Sequence, residues 1–365
     1  MLGHYTTAPS VIVCLTSFTS GLTHVANNTR ESLPCQHPIE SYLLEPAATR
    51  IGYCVLAAHI QMVLLWRTGS NYLTSAPTLS LGMVSAMHEQ PGSFSSSSSC
   101  FKSRYNYGPA DQNFGDLYYP QPSDTQQAAP VVVLLHGGFW RAAYGLDLMV
   151  AMAEALAARG LAVWNVEYRR AGDPGGGWPN TLLDVAQAVE YLHTLSSEFE
   201  LDLYRVIPVG HSAGGHLALW LAGQHRLPAT SPLLTPPPHI SFQGAISLAG
   251  AVDLEQTWQL NLGKGAAANF LGGSPSDYPK RYAQASPAAL LPLELPQVLI
   301  HGTDDVNVPL IISQHYAQKA RAAGDKVKLV TLSDVDHFAI IDPQTAAGTH
   351  VLQEILQMTQ LPPAP

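Results

Sequence analysis

The sequence predicts an α/β fold in which a mostly parallel, twisted sheet carries helices on both faces. From about residue 107 onward, apolar segments of strand length alternate with longer helical segments, which is the order typical of a parallel sheet. One strand–helix junction holds a Gly-x-Ser-x-Gly turn at residues 210–214. Other polar candidates directly follow predicted strands, and the carboxyl ends of parallel strands are where such sheets form sites.

The predicted strands are short apolar runs, of which the first suits a sheet edge and the second, Val-Val-Val-Leu-Leu, a fully buried position. In order, they span residues 116–120, 131–135, 161–168, 204–209, 242–248, 297–300 and 327–332. The predicted helices are rich in Ala, Leu and Gln, and they span residues 146–159, 181–199, 217–222, 310–323 and 350–360. Thr181 and Asp184 are expected to form a capping box at the start of the second helix.

Composition excludes some classes of function. The chain has 365 residues, 46% of them hydrophobic and only 12% charged, with a formal net charge of −9. A negative chain has no basic surface for nucleic acid, so no nucleic-acid partner is expected. The four cysteines all lie within the first hundred residues, which leaves the remainder without a disulfide or a cysteine-bound metal. This usage suits a cytoplasmic protein.

The first hundred residues differ in character from the rest. Residues 1–86 contain three arginines and three glutamates, so their charges sum to zero, and residues 93–99 are almost all serine. We therefore predict a poorly structured extension and linker at 1–100 and a catalytic domain at 101–365. The start lacks the basic region of a secretory signal. The alternatives are a membrane anchor at residues 51–66 and a true start at Met83 or Met87.

The turn Gly210-His211-Ser212-Ala213-Gly214 is the candidate nucleophile site. Its position between a strand and a helix is that of a nucleophile elbow, in which glycines allow the tight crossing of the backbone. A serine hydroxyl needs an adjacent base and a third group to orient that base. Ser212 is thus the predicted nucleophile. His211 is expected to make local hydrogen bonds and border the pocket, and His216, one helical turn on, is expected to pack locally.

The base and acid are expected further along the chain, in the order Ser, Asp, His. His337 follows the last strand and precedes the terminal helix. Asp304 and Asp305 follow the strand at 297–300, and as neighbours they cannot both face the imidazole. Asp336 adjoins His337, so its side chain should point elsewhere.

The residues His136-Gly137-Gly138-Phe139-Trp140, which follow the first buried strand, are the candidate oxyanion site. Acyl transfer builds negative charge on the carbonyl oxygen, and preplaced N–H groups stabilise it. Gly137 and Gly138 let the backbone approach, and Ala213 supplies a further N–H at its helix start. His136 is expected to brace this loop.

Together these motifs resemble the α/β-hydrolase fold over residues 107–361, within the branch that carries an HGG oxyanion loop. That branch includes hormone-sensitive-lipase-like esterases and kynurenine formamidases. In the family the acid is commonly followed four residues later by proline, and Asp305 with Pro309 matches this, so the resemblance selects Asp305. The aromatic pair Phe139-Trp140 and the sequence His337-Phe338 look more like the formamidase side. Phe139 stands where lipase-like members usually carry a third glycine, and this departs from the lipases proper.

Two stretches have less specific patterns. Residues 253–286 lie between two strands, where this fold often inserts a short cap; Trp258, Phe270 and Tyr278 either line a pocket there or hold the cap to the body. The Gly-rich stretch 175–179 lacks the spacing of a phosphate site and is expected to be a loop before a helix. The residues expected to line the substrate pocket are Phe139, Trp140, His211 and Phe338.

The sequence therefore favours a metal-independent serine hydrolase that cleaves small carboxylic esters and requires no cofactor. Its partner is then a small-molecule ester or amide. The alternatives are an arylformamidase acting on N-formylkynurenine-like amides and a non-catalytic binding protein on a hydrolase fold. The patterns do not specify an oligomeric state.

Overall fold

The computed structural model describes residues 100–121, 127–236 and 240–360. The predictions for residues 1–99, including the membrane-anchor alternative at 51–66, lie outside this part of the chain. Within it, we find no helix that is both long enough and apolar enough to span a bilayer. The division between residues 100 and 101 stays a prediction.

Eight strands of the described residues form one sheet in the order β1-β2-β4-β3-β5-β6-β7-β8. The strands are β1 (Cys100–Asn106), β2 (Phe114–Pro120), β3 (Ala129–Leu135), β4 (Ala162–Val166), β5 (Leu201–His211), β6 (Ala245–Leu248), β7 (Gln297–Gly302) and β8 (Val327–Leu332). The pairs β1–β2 and β2–β4 are antiparallel, and all other neighbours are parallel. The expectation of a mostly parallel sheet is confirmed.

The strand β1 has no counterpart among the predicted elements. Its sequence, Cys-Phe-Lys-Ser-Arg-Tyr-Asn, carries no apolar run, and most of its residues are exposed. An edge strand with one neighbour needs little apolar surface, so hydrophobic patterning does not reveal it. Arg104 is paired with Asp116 of β2 at 2.7 Å, which anchors this edge.

The helices of the described residues lie on both faces of the sheet. They are α1 (Val150–Ala157), α2 (Asn180–Glu190), α3 (Leu192–Leu195), α4 (Ala213–Ala222), α5 (Leu254–Gln259), α6 (Ala266–Leu271), α7 (Pro279–Ala285), α8 (Pro287–Leu290), α9 (Ile311–Ala322) and α10 (Ala346–Thr359). Alternate residues of β3 divide between two apolar clusters. Val131 and Val133 join the cluster of α2 and α4, whereas Val132 and Leu134 join that of α1 and α10. Both faces are thus buried, as a parallel sheet requires.

Some element boundaries differ from the predictions. The helix expected at 146–159 begins with a 3₁₀ turn at Leu146–Met149, and the one expected at 181–199 is divided at Tyr191. The last helix begins at Ala346, four residues earlier than expected, because the Thr345 hydroxyl accepts a hydrogen bond from the Gly348 N–H and caps it.

The expected capping box of Thr181 and Asp184 is wrong. Both residues lie inside α2, whose N-cap is Pro179. The Thr181 hydroxyl donates to the carbonyl of Arg169. Asp184 accepts from the Arg169 backbone at 2.9 Å and from its guanidinium at 2.6 and 2.8 Å. The spacing of Thr181 and Asp184 matches a capping box, but their side chains bond to Arg169 and so attach α2 to the segment after β4.

A helical insertion lies between β6 and β7, as expected for a cap. Its predicted range, 253–286, contains α5, α6 and α7, and α8 follows before β7. Phe270 is only 1% exposed, whereas Trp258 and Tyr278 are 38% and 37% exposed. Phe270 therefore holds the insertion against the body, while the other two aromatic rings lie at the surface. The glycine-rich stretch 175–179 is a loop before α2, as predicted, and the Trp178 N–H donates to the Phe270 carbonyl at 2.9 Å.

Candidate active site

Ser212 lies at a sharp turn between β5 and α4. Its backbone has φ 57° and ψ −117°, a left-handed conformation that a non-glycine residue rarely adopts. A Cβ on Gly210 would lie 2.1 Å from the carbonyl oxygen of Gly214, and one on Gly214 would lie 2.1 Å from that of Leu135. Only glycine fits these two crossings, so the strained position of Ser212 depends on them.

Asp305 and His337 are brought together from two different strand ends. Asp305 lies after β7 and His337 after β8, 32 residues apart, yet Nδ1 of His337 lies 2.6 Å from Oδ2 of Asp305. Asp305 is ionised at neutral pH, so Nδ1 carries the hydrogen and donates it. This leaves Nε2 of His337 as the proton acceptor of the ring, the atom a general base needs.

Asp305 is saturated with hydrogen-bond donors. Its Oδ1 accepts from the backbone N–H groups of Asn307 at 2.9 Å and Val308 at 2.8 Å. Its Oδ2 lies 3.2 Å from Nε2 of His301. Burial alone raises the pKa of Asp305, but the hydrogen bonds from His301, His337 and Val308 outweigh it and hold the pKa well below its usual range. The carboxylate is therefore charged throughout the neutral range.

The other two carboxylates accept hydrogen bonds from groups other than the imidazole. Asp304 is exposed, and its carboxylate accepts from the Thr303 hydroxyl at 3.0 Å. Asp336 accepts from the N–H groups of Phe338 and Ala339, both at 2.8 Å, and so shapes the turn after His337. The geometry thus favours Asp305 among the three candidates.

His211 connects the elbow to the candidate base. Its Nε2 lies 2.8 Å from the backbone oxygen of His337, and the two rings have centroids 4.5 Å apart. Burial, with a smaller contribution from the neighbouring His337, lowers the pKa of His211 to about 3. A neutral His211 therefore donates through Nε2 and holds the backbone of His337.

Within the described residues, the Ser212 hydroxyl makes no hydrogen bond to His337. Such bonds are often long until a substrate binds. Ser212 and His337 are nearly buried, with 2% and 4% of their surface exposed.

The loop after β3 lies directly against the nucleophile. A Cβ on Gly137 would lie 2.9 Å from the Cβ of Ser212. The next three residues, Gly138, Phe139 and Trp140, all have positive φ, of 114°, 52° and 56°. Ala213 is the first residue of α4, so its N–H has no acceptor within the helix. Backbone N–H groups of both segments are therefore available beside Ser212.

A buried network braces this loop through His136. Its Nε2 lies 2.9 Å from Oε1 of Glu167, and its ring stacks on Tyr168 with centroids 4.3 Å apart. The Tyr168 hydroxyl donates to the His136 carbonyl at 2.7 Å. Burial raises the pKa of Glu167, but His136 and Arg170 lower it by more, so the carboxylate stays charged.

The four residues expected to line the pocket differ in their exposure. Phe338 is 52% exposed and Phe139 is partly buried, so both can contact a substrate. Trp140 and His211 are 0% and 1% exposed, as little as Ser212, and their place in the pocket stays a prediction.

Trp140 connects the loop after β3 with the helix α4 and with the insertion between β6 and β7. Its Nε1–H donates to Nδ1 of His216 at 3.2 Å, and its ring stacks on Phe270 at 4.9 Å. The other nitrogen of His216 donates to the carbonyl of Ala285 at 2.8 Å. Burial lowers the pKa of His216 to about 4, so the ring stays neutral and one nitrogen can accept. The expected packing role of His216 thus joins three parts of the fold.

A cavity of about 590 Å³ lies elsewhere in the described part of the chain. Leu221, Leu227, Leu233, Ile240 and Phe242 are among its lining residues, and none of Ser212, Asp305 and His337 is. This cavity is therefore separate from the candidate active site.

Sequence reasoning missed Glu167 and His301. Both lie at or just after strand ends, Glu167 after β4 and His301 within β7, which is the edge where the other candidates were sought. A search of every strand end for buried ionisable residues would have included them.

Comparisons with known proteins agree with this architecture. The pattern of the BD-FAE family matches residues 116–320, more than half of the chain, and so covers Ser212 and Asp305 but ends before His337. A probable isoprenylcysteine alpha-carbonyl methylesterase of Oryza sativa subsp. japonica is 26% identical over 268 residues, which cover 69% of this chain and 62% of that protein. The chain thus spans less than two thirds of that relative's length.

The kynurenine formamidase of Danio rerio is 27% identical over 254 residues, which cover 68% of this chain and 78% of that protein. Among solved structures, a truncated carbohydrate esterase from gut microbiota superimposes with a TM-score of 0.63 at 17% identity, covering 73% of this chain and 99% of its own. At that identity the likeness concerns the fold alone. The α/β-hydrolase fold is therefore confirmed, and the chain belongs to the BD-FAE family.

Proposed function

We propose that the chain is a serine hydrolase that cleaves carboxylic esters through Ser212, His337 and Asp305. One observation carries the proposal. A serine in a strained strand–helix turn is linked through its neighbour His211 to a histidine whose Nδ1 lies 2.6 Å from a buried aspartate. Esterase names among the family's relatives support the same chemistry.

In the first half of the reaction, Oγ of Ser212 attacks the ester carbonyl carbon while Nε2 of His337 takes the hydroxyl proton. The carbonyl oxygen becomes an anion, which the N–H groups of Gly137, Gly138 and Ala213 stabilise. Asp305 accepts from Nδ1 and stabilises the imidazolium. The ester C–O bond then breaks, and the alcohol leaves with the proton from Nε2.

In the second half, water attacks the acyl group on Ser212, and His337 takes a proton from that water. The bond between the acyl carbon and Oγ breaks, the acid leaves, and the proton returns to Ser212. Both halves use only side chains and backbone groups of the chain, so we propose that no metal ion or cofactor takes part.

The test is turnover of p-nitrophenyl acetate by the full chain and by Ser212→Ala, with and without EDTA. We expect Ser212→Ala to lose on the order of a millionfold in kcat with an unchanged circular dichroism spectrum. The wild type should also react with a fluorophosphonate, whereas the variant should not. Activity in the folded variant above a few per cent, or loss with EDTA that zinc restores, would overturn the proposal.

A second candidate is an arylformamidase, favoured by the match to 78% of a kynurenine formamidase. The same residues would attack an N-formyl carbon and release an amine in place of an alcohol. Comparing kcat/KM for N-formylkynurenine, p-nitrophenyl acetate and an isoprenylcysteine methyl ester distinguishes the reactions. A formamide rate above both ester rates would replace the ester proposal with this one.

A further inference from the structure

A second buried histidine contacts the proposed acid. His301 lies in β7, four residues before Asp305, and is fully buried. Its Nε2 lies 3.2 Å from Oδ2 of Asp305, the oxygen that His337 also contacts. The mechanism above makes no use of this ring.

The neighbours of His301 decide where its hydrogen lies. Nε2 faces two acceptors, the Asp305 carboxylate and the Val308 carbonyl oxygen at 2.8 Å, so Nε2 carries the hydrogen. Nδ1 lies 2.8 Å from the hydroxyl oxygen of Ser313, a buried residue of α9. In the neutral ring Nδ1 accepts, and the Ser313 hydroxyl donates.

We propose that His301, oriented by Ser313, is a positioning residue that shares its Nε2–H with Asp305 and so sets how strongly the carboxylate attracts the proton of His337. The inference rests on the proposed function of Asp305 and His337. A hydrogen bond to a carboxylate spreads its charge. Without the His301 donor, Oδ2 would hold the imidazolium more tightly, and the general base would be free only at higher pH.

Within the described residues, two further titratable groups interact with the Asp305–His337 pair, His211 from β5 and Asp336 from the loop before His337. His211 stays neutral, since burial lowers its pKa to about 3. Hydrogen bonds from the Ala339 and Phe338 backbone lower the pKa of Asp336, so this carboxylate stays ionised. Neither group changes charge in the range where the base titrates, so a shift on changing His301 reports on Asp305.

The test is the pH dependence of kcat and KM for p-nitrophenyl acetate between pH 5.5 and 9 in four full-length variants. His301→Leu removes the donor, and His301→Gln keeps an N–H near the position of Nε2. Ser313→Ala removes the group that orients the ring. Ser212→Ala separates this inference from the proposed function, because activity in that variant would refute the serine mechanism itself.

We expect His301→Leu to move the acidic limb of the kcat profile up by about 0.5–1 pH unit. KM should change less than about twofold, because His301 does not reach the substrate. His301→Gln should keep the wild-type limb, and Ser313→Ala should shift it in the same direction by a smaller amount. A purely structural role would lower activity at every pH without moving the limb.

The inference fails if folded His301→Leu has the wild-type limb, or if His301→Gln shifts as far as His301→Leu. If His301→Leu does not fold, Ser313→Ala decides alone, and an unmoved limb in that variant refutes the proposal. Circular dichroism at each pH separates loss of fold from loss of activity.

Discussion

Nε2 of His211 lies 2.8 Å from the backbone oxygen of His337, although 126 residues separate them in the chain. The residue just before the proposed nucleophile thus holds the backbone of the proposed base. The side chain of the base is held separately, through Nδ1 and Asp305. A single turn sequence therefore carries the proposed nucleophile and also holds the backbone of the proposed base.

The two neighbouring aspartates should differ sharply in their effect on catalysis. Asp305→Asn should lower kcat by about four orders of magnitude, because an amide no longer selects the correct imidazole tautomer. Asp304→Asn is the matched control, since this residue is exposed and its carboxylate accepts a hydrogen bond from the Thr303 hydroxyl, while its backbone bond to Val335 does not depend on the side chain. It should change kcat less than about threefold. Steady-state hydrolysis of p-nitrophenyl acetate measures both, and the opposite ranking would show that Asp304 is the acid.

Gly137→Ala should disable the oxyanion loop. The added Cβ would lie 2.9 Å from the Cβ of Ser212 and 2.9 Å from Nδ1 of His211, so the loop or the serine must move. We expect kcat to fall by about 10²–10³. Gly160→Ala is the control, because its Cβ meets nothing within 4 Å although its φ is +89°. It should cost roughly 1 kcal/mol of stability and no activity. Equal kcat in the two variants would contradict the assignment of the loop.

Stability should fall in mild acid because His211 and His216 are buried in the neutral form. Burial lowers their pKa values to about 3 and about 4. Below an unfolded pKa of about 6.5, the unfolded chain binds protons that the folded chain cannot bind. Stability is thus full above pH 6.5 and is lost as the pH falls toward those lower values.

Each histidine should lower the free energy of unfolding by about 1.4 kcal/mol for each pH unit in that range as the pH falls. Urea unfolding between pH 7 and pH 5 measures the slope, and His216→Gln should reduce it. His193→Gln, at an exposed position, serves as the control and should leave the slope unchanged. An unchanged slope in His216→Gln would mean that this ring is protonated in the folded protein.

Phe270 should matter far more than Trp258 for the attachment of the cap. Phe270 stacks on Trp140 at 4.9 Å and is 1% exposed, whereas Trp258 is 38% exposed. We expect Phe270→Ala to cost about 3–5 kcal/mol of unfolding free energy and to lower kcat, because Trp140 belongs to the oxyanion loop. Trp258→Ala should cost less than about 1 kcal/mol. Urea unfolding compares the two, and similar losses would argue against Phe270 as the anchor.

Deleting residues 1–86 should leave folding and ester hydrolysis intact. Every proposed catalytic group lies after residue 136, and the strands of the described sheet begin at Cys100. Expression of residues 87–365 with a p-nitrophenyl acetate assay checks this. An insoluble or inactive product would show that the deleted stretch contributes to the core or to the pocket.

Much of the fold was predictable because it depends on local patterns. Buried parallel strands are continuous apolar runs, as in β3, and the glycine at position 210 is required by a backbone crossing with Gly214, four residues further on. The exposed edge strand β1 was not predicted, because a strand with a single neighbour can have a polar sequence without an apolar run. The false capping box had correct spacing, but Asp184 was bound by Arg169 instead.

The sequence by itself determined the α/β alternation, the elbow and the order of the serine, acid and base candidates. Only the tertiary structure placed Asp305 against His337, packed Trp140 on His216 and Phe270, and joined His301 to Asp305. These facts depend on contacts between strand ends that are far apart in the chain. Because a linear pattern encodes which residues are apolar but not which side chains meet, such pairings appear only when the sheet is assembled.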